Sequence, residues 1–290
     1  MDLQFLIQNG VTGIANGAVY ALIALGFTLT YNASRVANFA QGQFVVLGGL
    51  IAITLVEAGA PLLVGAAASV IAVSVIAGVV YLATIGRVPE SDPFRRIMVT
   101  LGIALAAEAA LQIIWGTEAR RLPPFTGDQP VDLFGAAIAP QALWVIAGAV
   151  VAMIVLNWFF RGTRTGQAML AVSEDREGAG LLGIRVAWMS VLAFVLGAGL
   201  AAVAGVMVSP ISSTVYFHGL PLTVAAFAAA VVGGFGNPVG AVVGGLALGL
   251  LQAFSVAWLP SGISDAAPFA ALIAFLILRP RGLVGSRVLT

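Results

Sequence analysis

Four amides and one carboxylate stand where an apolar chain should have none. Asn38, Gln41 and Gln43 open one hydrophobic segment, while Glu108 and Gln112 lie inside another. An amide without partners in hydrocarbon is costly, so each must face other helices or a wet cavity. Two readings are open for Asn38, Gln41 and Gln43. They line a path for a polar solute, or they bridge two helices. A mid-span carboxylate is rarer, and such groups usually face a bundle interior or a substrate pathway. Gln112 follows Glu108 by one helical turn on the same face. Glu57 sits at a segment end and reads as interfacial.

No catalytic constellation accompanies them. His218 is the single histidine and there is no cysteine, so neither a metal site nor a thiol chemistry is expected. No cofactor is implied. Lysine is absent, which removes any Walker A lysine; ATP-driven work would need another subunit. The net charge is +1 with the basic residues scattered, which argues against nucleic acid.

The elements that carry these residues are membrane helices. The chain is 60% hydrophobic and 9% charged, with mean hydropathy +1.06. Long continuous apolar runs indicate an all-α transmembrane bundle and not a β-barrel. The runs lie at 5–30, 36–57, 62–85, 97–115, 141–160, 188–209, 222–236, 239–258 and 267–278. The last and 222–236 are short for a ~30 Å hydrocarbon core. Eight to ten spans are therefore expected within a single transmembrane domain, 1–290, with one or two broken or half-length helices. The first and second halves each hold an interrupted segment, Asn38 to Gln43 and Gly233 to Pro238. Such pairs point to a substrate path near the midplane.

One polar stretch, 161–187, separates two spans. Within it Ser173 is a good N-cap, and Glu174, Asp175 and Glu177 would occupy the favourable first turn. Gly183 would end the helix. A capped helix of about 8–10 residues running into Leu181, Leu182 and Ile184 is expected. It could dock in another protein's groove or stand as a plain solvated helix. With this stretch inside, eleven of the thirteen arginines lie on the cytoplasmic side and only Arg120 and Arg121 outside, as the positive-inside rule requires. That places the C-terminus in the cytoplasm and the N-terminus outside, and the start shows no cleavable signal.

Four motifs together resemble the branched-chain amino acid ABC transporter permeases of the LivH type. They are Ala24 to Tyr31 with Arg35 to Phe44, Ala171 to Ile184, Gly233 to Gly240, and Leu278 to Gly285, in the family's order. The resemblance implies an importer half in a bacterial inner membrane. Its partners would be a homologous second permease, two ABC ATPase subunits and a periplasmic substrate-binding protein. Glu174, Asp175, Arg176, Glu177, Gly178, Leu181, Leu182, Gly183 and Ile184 would couple to an ATPase. Loops 116–140 and 210–221 would receive the binding protein. Branched-chain or related amino acids, or small amides, would be the cargo. An ion-coupled transporter using Glu108 and a passive small-solute channel are the rival readings.

Overall fold

The computed structural model describes residues 3–89, 91–127, 129–133, 136–258, 267–278 and 282–284. The helices are α1 (Leu3–Ser34), α2 (Gln41–Glu57), α3 (Leu62–Ala83), α4 (Pro93–Trp115), α5 (Pro140–Gly162), α6 (Arg164–Glu174) and α7 (Arg176–Leu181). They continue with α8 (Val186–Val208), α9 (Gly219–Gly233), α10 (Pro238–Trp258) and α11 (Ala267–Leu278). A small antiparallel hairpin of β1 (Val131–Leu133) and β2 (Ala136–Ile138) precedes α5. No alternation announced it, because three-residue strands carry too few positions to show a period.

Seven helices are long and apolar enough to cross a membrane among the described residues, α9 being counted together with the helical turn Tyr216–His218 that leads into it. That is fewer than the eight to ten expected. The difference lies in α2 and α11, with 17 and 12 residues. Their hydropathy reads as a span, but their length does not reach across one.

The core is built on α1 and α8, which run in opposite directions. The end of α1 meets the start of α8, where Ser190 Oγ donates to Ala33 O at 3.0 Å. Around this pair the helices match across the two halves: α10 packs on α1 as α3 packs on α8, and α9 packs on α1 as α2 packs on α8. This is the arrangement of an inverted-topology repeat. The partner of the break before α2 is therefore the stretch 209–218 before α9, not Gly233 to Pro238. The latter is a tight turn at the end of α9, with Gly234 and Gly236 at φ +119° and +87°. Val284 N and Leu283 N close it by donating to Gly233 O and Val232 O.

Hydrocarbon supplies no hydrophobic drive between helices, so these contacts depend on close approach. A Cβ on Gly26 would lie 2.6 Å from Gly197 O, and one on Gly197 2.8 Å from Gly26 O. At the α2–α8 contact, a Cβ on Gly205 would collide with Val45 O. Gly205→Val must push two backbones apart and is expected to cost about 1–3 kcal/mol. A thermal unfolding curve in detergent checks this. Gly102→Ala, which meets open space, should leave the midpoint unchanged or raise it.

The loops sort to two sides. Arg35 Nη2 donates to Ser173 O, and Arg96 Nη1 to Ser34 O. The ends of α1, α3, α5 and α9 and the segment 163–185 thus share one arginine-rich side. On the opposite side Arg120 pairs with Glu57 at 3.1 Å and Arg121 Nε donates to Pro210 O. Arg279, Arg281 and Arg287 lie outside the described residues.

Candidate functional site

The chain between α1 and α2 runs irregularly through the bundle at 36–40, with its backbone groups far from water. Two threonines that carried no sequence signal satisfy them. Thr100 on α4 accepts from Phe39 N at 3.3 Å and faces Ala37 O at 3.2 Å. Thr223 on α9 accepts from Gly42 N at 2.8 Å and faces Phe39 O at 3.2 Å. Both are fully buried. Thr223 thereby caps the start of α2 from another helix, a task usually left to a residue just before the helix. The break is thus tolerated at depth only because α4 and α9 close over it.

Asn38, Gln41 and Gln43 hang from this break and are all buried. Asn38 Nδ2 donates to Gln41 Oε1 at 3.3 Å, and Gln41 Nε2 donates to Gly197 O at 2.8 Å. Gln43 Nε2 donates to Glu108 Oε2 at 3.1 Å. Gln43 Oε1 is buried without a hydrogen-bond partner, and its amide lies against Gly219, the first residue of α9. The starts of α2 and α9 therefore converge, each presenting the positive end of a helix dipole. Glu108 is half-buried beside them, and no described residue forms an ion pair with it. The structure thus brings Asn38, Gln41, Gln43 and Glu108 together. Gln112 stands apart, exposed on the outer face of α4.

Below the amides runs a group of aromatic rings that hydropathy alone did not single out. Phe39 lies 6.0 Å from Phe227 and 6.4 Å from Phe27; Phe235 lies 5.7 Å from Phe227 and 4.3 Å from Tyr31. The rings connect the amide cluster to the arginine-rich side. Phe235 and Tyr31 belong to that side's turn and helix end.

The second element is the polar stretch. Its helical content divides differently from the expectation. Ser173 does not cap: its hydroxyl donates to Leu170 O at 2.7 Å, inside α6. Asp175 is the N-cap, accepting from Glu177 N at 3.1 Å. Glu174 therefore ends α6, and α7 is a six-residue helix over Arg176–Leu181. Ser and Asp cap about equally well. The register was settled by Met169 and Val172, which α6 buries against the bundle. Gly183 does end the helix, at φ +84°, with Ile184 N donating to Ala179 O at 3.0 Å. This is a Schellman closure.

Burial along this stretch is polarised. Ala179 faces inward, while Leu181 and Leu182 are 90% and 83% exposed. Gly178 lies in the helix between the cap and these leucines. The α6–α7 segment is fastened to the end of α1: Arg176 donates to Ala33 O and Arg35 Nη2 to Ser173 O. Ala33 lies a few residues before the break that carries Asn38 and Gln41. The exposed leucines and the buried amides are thus joined through the end of α1.

A family profile described as the branched-chain amino acid transport system permease component matches residues 9–278. The chain belongs to that permease family. It is 30% identical to the high-affinity branched-chain amino acid transport permease LivH of Escherichia coli K12, over 98% of each chain. It is 29% identical to the corresponding permease BraD of Pseudomonas aeruginosa, over 98% of this chain and 97% of that one. Among solved structures, PsaBC from Streptococcus pneumoniae in complex with Fab has a similar fold. The TM-score is 0.53 at 12% identity, covering 97% of this chain and 94% of that one. As a member of the permease family the chain is a membrane translocation subunit and not an enzyme.

Proposed function

We propose that this permease is one transmembrane half of an ATP-driven importer for branched-chain or related amino acids. It works in the bacterial inner membrane with its C-terminus in the cytoplasm. It pairs with a homologous second permease, two ABC ATPase subunits and a periplasmic binding protein. The solute passes along Asn38, Gln41, Gln43 and Glu108, and not past Gln112, which faces outward. The observation that carries this reading is the segment α6–α7. It lies on the arginine-rich side, offers two adjacent leucines to a groove, and is tied through Arg176 to the α1 end.

A nucleotide-dependent partner can move the bundle only if it binds two states of it differently. Docking of Leu181 and Leu182 in an ATPase cleft supplies such contacts. Movement of the cleft pulls α7, and α7 pulls Ala33 and the break that follows. The amides then change their exposure, and the rings of Phe39, Phe227 and Phe235 part or close. The amide cluster is polar but carries a single carboxylate, which suits a solute that must be released as readily as it enters.

The chain lacks cysteine, so a single Leu182→Cys variant gives a clean crosslinking probe. In the assembled transporter it should crosslink to an ATPase subunit and react with thiol reagents only from the cytoplasmic side. Labelling from the periplasm, or no crosslink to a nucleotide-hydrolysing subunit, would sink the reading.

A further inference from the structure

An amphipathic slot of about 510 Å³ opens between α1, α5 and α10 under the roof of α6. Its polarity is segregated. The polar lining groups, Asn32, Asn157, Arg161 and Ser173, lie where these helices reach the arginine-rich side. Deeper down the lining is apolar, with Leu25, Leu29, Met153, Val242 and Val243. From Ala33 to Leu25 the slot descends about 12 Å along α1. This gradient follows that of one phospholipid, headgroup at the boundary and acyl chain toward the midplane.

Charge selects among phospholipids. Arg161 is exposed at the mouth, and its guanidinium makes no hydrogen bond or ion pair with any described residue. No carboxylate among the described residues lines the slot. Trp158, 65% exposed one turn before Arg161, stands at the level where indoles anchor in the headgroup region. A guanidinium presents a planar fork that matches phosphate oxygens. A zwitterionic lipid brings its own cation to that fork, whereas an anionic lipid does not.

We propose that the slot is a specific site for one anionic phospholipid, with its phosphate on Arg161 and an acyl chain between α1, α5 and α10. The site is independent of the importer reading. It also adjoins the α6–α7 segment, because Leu170 and Ser173 of α6 form part of its wall.

The test uses the full-length chain with its co-purifying subunits, stripped of lipid in detergent. It is then exposed to an equimolar mixture of phosphatidylglycerol and phosphatidylcholine. Retained lipid is counted by native mass spectrometry. One arginine near an anionic headgroup should give phosphatidylglycerol about a fivefold preference. Arg161→Gln should reduce that preference to near parity, and Arg87→Gln, also exposed on the arginine-rich side but remote from the slot, should keep it. Val243→Trp, which fills the apolar part, should lose the retained lipid. The proposal is overturned by parity in the unaltered chain, by equal effects of the two arginine variants, or by lipid retained in Val243→Trp. A photocrosslinker at position 243 that captures a protein segment instead of lipid would overturn it as well.

Discussion

ATP-driven uptake should fall at least about thirtyfold when Leu181 and Leu182 are both replaced by Asp, because losing a buried anchor of an interface costs 2 kcal/mol or more. Both side chains project from α7 at nearly full exposure, so the free permease has nothing to lose by the change. Asp175 still caps the helix, Gly183 still closes it, and Met169 and Val172 still hold α6 against the bundle. The cost falls on docking, where two carboxylates would replace two apolar groups in a partner's groove. Uptake, ATPase stimulation and membrane insertion are measured together. Loss of the first two with normal insertion is the expected pattern. Uptake at the unaltered rate would show that the leucines dock nothing.

Transport should drop about tenfold in Glu108→Gln, since a hydrogen bond to an ionised group exceeds a neutral one by about 1–1.5 kcal/mol. The substitution keeps the size of the side chain and an oxygen to accept from Gln43 Nε2. What it removes is the negative charge beside the converging starts of α2 and α9. Assembly, followed by gel filtration, should be unchanged. If the rate matches that of the unaltered chain, Glu108 is a strut between α4 and α2 and the solute does not meet its charge. Driving the complex by ATP in vesicles with the proton gradient collapsed separates this from ion-coupled transport, which would stop.

The amides and the carboxylate were legible for a single reason. In lipid, polarity at depth is expensive enough to stand out in one dimension. Asn38, Gln41, Gln43 and Glu108 stand out in the sequence on that ground, and the structure gathers all four. Gln112 stands out with them because helical spacing puts it on the face of Glu108. Spacing says which residues share a face but not where along α4 that face is covered, and Gln112 lies beyond the covered part. Thr100 and Thr223 escaped notice because a hydroxyl in a membrane helix commonly bonds its own preceding turn. Only the approach of α4 and α9 to the break gives these two a second task.

The helical membrane class, the apolar segments, the family, and the sorting of the described loop arginines to one side could all be read from the chain before it folds. These follow from the transfer free energy of short windows, from motif order and from counting, none of which needs a partner residue. The shortness of α11 was already legible in the run 267–278, whereas only the packed chain shows that α2 starts at Gln41 and so falls short of a span. Tertiary structure also decided that the break before α2 answers to the break before α9, and that Asp175 and not Ser173 caps α7. Each of these depends on contacts between residues distant in the chain, such as Gly42 with Thr223, Gln41 with Gly197 and Arg176 with Ala33. Helices buried on most sides keep no periodic trace of which neighbour they touch, so that information exists only once the chain has packed.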